Sequence, residues 1–446
     1  MTGYCVSDIA AITGGVLSGD GAALVTGAVI DSRAVTPGAL FAAIPGERVD
    51  GHDYIGKAFD LGASCCLVQR VPAGETRPVI CVPDTAAALE TLARAYRGRF
   101  AIPVLGVTGS VGKTTAKEMV ASVLARRWNT LKTEKNFNNQ LGVPLTLFRL
   151  EPEHQAAVVE MGVSHFGAMV QPTAMLFTII GHAHLEFLRD RRGVLQEKTS
   201  VLDTMPDDAV AFCNGDDDLL RAMTCRQRKV TFGLSDGCDV RAVDVCDLGD
   251  NGSTCTIVAG ARRIPVRIRA YGQHMVYAAL EGAAVGIEYG LTDDEIIRGI
   301  AAYQPVGSRA NVVRTARYTV IDDCYNANPD STAAALRSMA TLPAGRRVAI
   351  LGNMGELGPD AAALHRETGV CAAKAGVSLV ITCGALAREI AAGAAEADPD
   401  VQTASFAALD ELLAALPELV QPGDCVLVKA SHSMAFERIV QALTQN

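Results

Sequence analysis

The chain lacks a basic excess, a long apolar run and any close pairing of its cysteines. Lys plus Arg number 40 and Asp plus Glu 49, a formal net charge of −9. Charge of that sign excludes bulk electrostatic binding to nucleic acid or to an anionic membrane, and leaves room for a local basic pocket for a small anion. The most apolar run, Ala174 to Ile180, is far shorter than the roughly 20 residues a spanning helix needs. None of the 13 cysteines stands in a Cys-x-x-Cys; Cys65 and Cys66 are adjacent and the rest are scattered. A disulfide scaffold or zinc site is therefore not expected, and the cysteines read as small apolar residues in a reducing compartment. No Lys or Arg precedes the apolar stretch of the first residues, Met1 to Asp20, so no signal peptide is expected. There is no short internal repeat and no low-complexity tract. The expectation is a soluble cytoplasmic protein with no nucleic-acid partner and no membrane span.

What is present is enough apolar material for several cores. Hydrophobic residues make up 49% of 446 and charged residues 20%, and at roughly 150 residues per domain the length suggests about three domains. Short β-rich runs alternate with helical stretches, which predicts α/β layers with mostly parallel sheets. Two cuts divide the chain into residues 1–100, 101–313 and 314–446. In the first segment, strands are expected at Ala28–Ile30, Ser64–Gln69 and Val79–Val82, with a long loop from Asp31 to Tyr54 and a helix at Asp53–Leu61. Asp84 is expected to cap a helix ending near Arg99. In the second, strands are expected at Ala156–Met161, Met175–Ile180 and Ala209–Cys213. Helices are expected at Lys113–Arg127, Gly193–Asp203, His274–Glu288 and Thr292–Ala302. Asp239–Arg269 reads as antiparallel strands turning at Asn251-Gly252. In the third, buried strands at Arg347–Leu351, Ser378–Thr382 and Cys425–Lys429 alternate with helices such as Ala361–Ala373 and Ala407–Leu416, as in a smaller doubly wound sheet.

The sharpest chemical signal is Gly106-Val107-Thr108-Gly109-Ser110-Val111-Gly112-Lys113-Thr114-Thr115. A strand feeds a glycine-rich turn whose amides can wrap a phosphate at a helix N-terminus. Lys113 can reach the β- and γ-phosphates of a nucleotide and Thr114 can ligate Mg²⁺. The strict pattern asks for Gly where Val107 stands. Glu160 closes the strand Ala156–Met161, and His184 follows the next one. Alone, the first fits a solvated loop charge and the second a structural histidine; together beside a phosphate loop they point to metal ligation. Lys198, in the helix that follows, also fits an ordinary surface ion pair. The third signal is Asp322-Asp323-Cys324-Tyr325-Asn326-Ala327-Asn328-Pro329-Asp330, in which a cap explains Asp330 and Asn328 but not the other polar side chains. Arg309, just upstream, can neutralise phosphate charge or sit at the surface.

These motifs resemble the Mur ligases of peptidoglycan synthesis over nearly the whole chain. The resemblance rests on Asp31-Ser32-Arg33, Asp50-Gly51-His52, the TGSVGKTTAKEM stretch, Lys132-Thr133-Glu134, NFNN with GVPLTL, Glu160-Met161-Gly162, Ala183-His184-Leu185-Glu186, DDCYNANPDS, LGNMGELG, His365 and Val428-Lys429-Ala430-Ser431. YNANPDS and NFNN…GVPLTL point to the branch that adds D-Ala-D-Ala. The resemblance implies three domains: a small α/β domain for the UDP-sugar end of the substrate, a central P-loop ligase domain with an antiparallel β portion, and a Rossmann-like domain that closes on ATP and admits the dipeptide. It implies an ATP-dependent ligase that joins D-Ala-D-Ala to UDP-N-acetylmuramoyl-tripeptide through an acyl phosphate, acting as a monomer.

By the same resemblance Gly109, Ser110, Val111, Gly112, Lys113, Thr114 and Thr115 hold ATP, with Asp323, Asn326 and Asn328 facing the nucleotide. Asp31, Ser32, Arg33, Asn136 and Asn138 meet the substrate. Thr114, Glu160 and His184 hold Mg²⁺, and Lys198 matches the lysine that becomes a carbamate able to ligate Mg²⁺. Lys113, Lys198, Glu160, His184 and Arg309 are the expected catalytic set. The chain departs from the family at Val111, Ile179, Met275 and Ala278, where Asn or another small polar residue is usual, and at Phe166 and Ala168, where Pro and Glu are common. These departures keep two other readings in view: a paralogous amide ligase for another acid and amine, and a nucleotide-binding switch that ligates nothing.

Overall fold

The structure, a computed structural model, describes residues 1–46 and 49–445; Glu47 and Arg48, in the loop expected from Asp31 to Tyr54, lie outside the described residues. The described strands form three large sheets and a two-stranded pair, Tyr4–Cys5 with Leu24–Val25. The amino-terminal sheet runs Val16–Ser18, Val79–Cys81, Cys65–Val68, Ala39–Ala42, Gly27–Val29, parallel except at its first pair. Asp84 caps the helix Thr85–Arg97 by accepting from the amides of Ala86 and Ala87, as its place before an apolar-periodic run predicts.

The middle sheet has nine strands. Thr130–Lys132, Ala156–Glu160, Val104–Thr108, Ala174–Phe177, Val210–Asn214, Arg228–Gly233 and Val240–Asp247 pair in parallel; Ser253–Ala259 and Arg262–Ile268 continue it antiparallel. Its central strands are apolar on both faces because both are covered. Val159 packs into one core, whereas Val158 points into another with Leu105, Val107 and the helices Lys113–Leu124, His274–Glu288 and Asp293–Ala302. The expected turn at Asn251-Gly252 is there: Gly252 has φ +88°, and a Cβ on it would meet the carbonyl oxygen of Ile268 at 1.9 Å.

The third sheet runs Asn311–Arg314, Thr319–Asp322, Cys425–Lys429, Arg347–Gly352, Leu379–Cys383, Gln402–Phe406, parallel but for its first pair. The α/β class with three mostly parallel sheets is as the sequence predicted.

Several element ends differ from expectation, for local reasons. The strand expected to reach Ile180 stops at Phe177, because Thr178 and Ile179 turn to the phosphate loop: the Ile179 carbonyl accepts from the Ser110 amide at 2.8 Å. The helix expected from Gly193 begins at Arg191, where Asp190 accepts the Gly193 amide, and gives way at Ser200 to a 3₁₀ turn. The first part of the helix expected from Asp53 is the 3₁₀ turn Gly51–Tyr54, with Ile55–Asp60 helical beyond it. Among the described residues no helix is long and apolar enough to cross a membrane.

Candidate active site

Parallel strands deliver their loops to one edge of a sheet, and the adjacent strands Ala156–Glu160, Val104–Thr108 and Ala174–Phe177 bring three sets of polar groups to that edge. The strand Val104–Thr108 runs into Gly109–Gly112 and then the helix Lys113–Leu124. Only glycine suits Gly109: its φ is +145°, and a Cβ there would stand 2.1 Å from the Thr178 hydroxyl. Thr178 donates that hydroxyl to the Val111 carbonyl at 2.5 Å. The phosphate loop is thus tied to the loop after the neighbouring strand. Lys113 bends back over it and donates to the Gly109 carbonyl at 2.6 Å.

Thr114, one residue into the helix, donates its hydroxyl to Glu160 at 2.9 Å, and Asn138 donates its side-chain amide to the same carboxylate at 2.8 Å. Glu160 is 2% exposed. Asn138 therefore stands beside Glu160, while Asn136 is exposed. His184 adopts a left-handed conformation, φ +59°, at the start of the short helix Leu185–Leu188, rather than at a strand end, and its Nδ1 meets Glu356 of the third unit at 2.5 Å. Lys198 is fully buried, donating to the Gly162 carbonyl at 2.5 Å and pairing with Glu197 at 3.0 Å.

These groups share one electrostatic environment. Lys113 is held down to about 8, first by burial and next by the positive charge of Lys198; Arg309 adds to the fall and Glu160 opposes it. Burial pushes the His184 imidazole below its ordinary range; Glu356 pulls it back, and Lys198 and Lys113 push further down. The structure thus brings Lys198, Glu160, His184 and Arg309 each within electrostatic range of Lys113. Arg309 lies with its guanidinium 3.9 Å over the ring of Tyr325. Lys198 and Arg309 stand close enough to Lys113 to disfavour its charge, and positive charge concentrated in this way makes a site for a polyanion.

Asp323 takes Lys429 at 2.6 Å and the Ala310 amide at 3.1 Å. Lys429 also donates to the Asn326 carbonyl at 2.9 Å. Asn328 caps the helix Pro329–Ala340. Asp330, expected to share that capping, stays in the first turn of the helix but turns its carboxylate to the middle unit and accepts the His182 amide at 2.6 Å. Asp31, Ser32 and Arg33 belong to the amino-terminal unit. Asp31 is held near 2 by hydrogen bonds from the guanidinium and then the backbone amide of Arg33, whose side chain is exposed. The departures Met275 and Ala278 are buried in the apolar core beneath the middle sheet.

The sequence assigned no role to Lys117, Thr133, Asp217 or Lys429, although Lys117, Thr133 and Lys429 stand inside motifs that carry the resemblance. Asp217 accepts the Ile180 amide at 2.8 Å and holds the loop that carries His184. Its signal was the run Asp216-Asp217-Asp218. Lys117 had a signal in spacing, three residues after Thr114 and so on the same helix face.

Comparison with known proteins agrees along the chain. Residues 24–97 match the Mur ligase family catalytic domain, 107–286 the Mur ligase middle domain and 308–432 the Mur ligase glutamate ligase domain. The UDP-N-acetylmuramoyl-tripeptide–D-alanyl-D-alanine ligase of Bacillus subtilis is 33% identical over 436 residues, covering 95% of this chain and 94% of its own. The enzyme of the same name from Escherichia coli is 34% identical over 459 residues, covering 100% and 99%. Among solved structures, MurF from Acinetobacter baumannii superposes with a TM-score of 0.91 at 28% identity, covering 99% of each chain. MurF from Thermotoga maritima in complex with ADP gives 0.80 at 26%, covering 93% of this chain and 96% of that one. A glycine-rich phosphate loop, a buried strand-end glutamate and three matched domains over nearly the full length identify the chain as a member of the Mur ligase family.

Proposed function

We infer that this chain is an ATP-dependent peptide ligase that adds D-Ala-D-Ala to UDP-N-acetylmuramoyl-tripeptide, in the making of peptidoglycan precursors. Full-length similarity to ligases of that name supports the reading. The observation that carries it is the charge cluster at Lys113, on the phosphate loop beside the strand-end Glu160: Lys198, Arg309 and Glu160 all act on Lys113, and Lys198 and Lys113 both act on His184. A ligase of this kind must bring two anions together, a nucleotide triphosphate and a carboxylate, and only concentrated positive charge makes that encounter favourable. The terminal carboxylate of the tripeptide attacks the γ-phosphorus of ATP, ADP leaves, and the amine of D-Ala-D-Ala displaces phosphate from the acyl phosphate.

The labour divides by unit. Residues 1–100 hold the UDP-sugar through the Asp31–Arg33 turn. Residues 101–313 hold the phosphates on Gly109–Thr115. Residues 314–446 close over the nucleotide, with Asp323, Asn326 and Asn328 on that side, and receive the dipeptide. Asn136 and Asn138 belong to the substrate side of the middle unit. The enzyme acts as a monomer in the cytoplasm.

Mg²⁺ fits the donors present. Thr114 and Glu160 offer hard oxygen atoms within 2.9 Å of each other, with His184 in the same electrostatic neighbourhood. Among the described residues no three His, Cys, Asp or Glu side chains form a closed cage. Mg²⁺ typically takes one or two carboxylates and completes its shell with phosphate and water. When bound, Mg²⁺ supplies charge neutralisation on the phosphates. Lys198, buried beside Lys113, is the lysine that takes up CO₂: its neutral amine adds to carbon, a proton leaves, and a carbamate replaces a cation that repels Lys113. Purified protein should release phosphate from ATP only when both the UDP-muramoyl-tripeptide and D-Ala-D-Ala are present. Release without the dipeptide would contradict this function.

A further inference from the structure

Behind Glu160 stands a second layer of polar groups that the reaction itself does not use. Lys117 is 1% exposed, at the core of the middle unit. It lies on the phosphate-loop helix one turn beyond Thr114, so helical pitch aims both at the end of the strand Ala156–Glu160. Its ammonium donates to the Thr133 carbonyl at 2.7 Å, pairs with Glu118 at 2.8 Å and stands 3.9 Å from the Glu160 carboxylate. Thr133, 0% exposed, accepts the backbone amide of Glu160 on its hydroxyl at 3.0 Å. Lys132, next to Thr133, also pairs with Glu118. Lys117 and Thr133 thus form one brace, ammonium to carbonyl and hydroxyl to amide, that holds the backbone of Glu160 and sets a positive charge beside its carboxylate, in addition to the hydrogen bonds from Thr114 and Asn138. A buried lysine is retained only when its donors are satisfied and its charge is matched, and here the matching carboxylates are Glu118 and Glu160.

We propose that Lys117, acting with Thr133, is the positioning residue for Glu160: it holds that carboxylate ready for the divalent cation before nucleotide arrives. The proposal rests on Glu160 as a metal ligand. Loss of an outer partner of a metal-ligating carboxylate costs about 10–100-fold in metal affinity. Lys117→Met should therefore weaken Mn²⁺ binding in the presence of ADP by at least about tenfold, read by electron paramagnetic resonance of free Mn²⁺. ADP affinity in EDTA should stay within about twofold, because the phosphate loop is untouched. The kcat should fall at subsaturating Mg²⁺ and recover in part when the metal is raised, whereas KM for the tripeptide should not move.

Thr133→Val keeps the ammonium and the shape and removes only the acceptor for the Glu160 amide. It should weaken Mn²⁺ binding in the same direction, and it decides the matter if Lys117→Met fails to fold. Glu160→Gln is the control. If it leaves Mn²⁺ affinity unchanged, the metal assignment has failed. If it abolishes binding while folded Lys117→Met and Thr133→Val both bind Mn²⁺ as the parent does, the brace is overturned.

Discussion

Asp330 and His182 are joined at 2.6 Å, carboxylate oxygen to backbone amide, and so tie the first turn of a helix in the third unit to the loop of the middle unit that carries His184. The same carboxylate lies 3.2 Å from the His182 ring. Two residues on, Glu356 of the third unit takes His184, and its carbonyl accepts the Glu186 amide at 3.1 Å. The third unit therefore grips this loop at both ends. Asp330→Ala removes one grip and leaves the phosphate loop intact. It should lower kcat/KM about tenfold, near 1.4 kcal/mol in the barrier, with ADP affinity changed much less. Steady-state kinetics beside ADP calorimetry checks the split, and equal losses in both would contradict it.

Gly109 has no room for a side chain. Gly109→Ala sets a methyl 2.1 Å from the Thr178 hydroxyl at a φ of +145°. The strained backbone alone costs about 1–3 kcal/mol, and relief requires the loop to move away from the phosphates. ADP affinity should fall at least about tenfold, since 1.4 kcal/mol is a factor of ten. Adding Thr178→Ser, which keeps the hydroxyl, should not rescue it. Calorimetry with near-parental ADP binding in Gly109→Ala would refute the geometry.

How much of this site was legible follows from how local each signal is. The phosphate loop, Glu160 and the Asp322–Asp330 stretch each announce themselves within a dozen residues, because strand, turn and helix are written consecutively. Asp330 reads as a second cap, since caps are local; its reach across to His182, 148 residues away, leaves no trace in spacing. The part Lys117 and Thr133 play beside Glu160 is hidden for the same reason, although both stand in motifs that carry the resemblance: the sheet order that puts Thr130–Lys132 beside Ala156–Glu160 is a tertiary fact. The strand ending at Phe177 looks longer in sequence because Ile179 and Ile180 are apolar, yet their backbone groups serve the phosphate loop and Asp217.

Gly193 carries a packing constraint on Lys198. A Cβ there would stand 2.0 Å from the Leu188 carbonyl oxygen, and the Gly193 amide already satisfies Asp190. Gly193→Ala should push the helix Arg191–Thr199 off its cap, with a stability loss of about 1–3 kcal/mol. Denaturant unfolding checks the loss. A neutral result would mean the helix can shift freely.

Lys113 predicts a pH dependence. Burial and Lys198 hold its ammonium at about 8 rather than 10.5. In the ligand-free protein this group therefore disfavours folding below about 8, and that penalty fades as pH rises through 8 to 10.5. Nucleotide phosphates restore the charged form, so binding above pH 8 must take up a proton and ADP affinity must fall with rising pH. Calorimetry in two buffers of different ionisation enthalpy at pH 9 should show proton uptake in the parent and none in Lys113→Arg. Equal uptake in both would assign the proton elsewhere.

The proposed function requires that phosphate pass to a carboxylate in the crevice formed by Lys113, Arg309 and Glu160. The direct measurement uses tripeptide substrate with ¹⁸O in both oxygens of its terminal carboxylate, turned over with ATP and D-Ala-D-Ala. Mass analysis should find one ¹⁸O in each phosphate released and the other in the new amide. Phosphate free of ¹⁸O, with amide formed all the same, would contradict it.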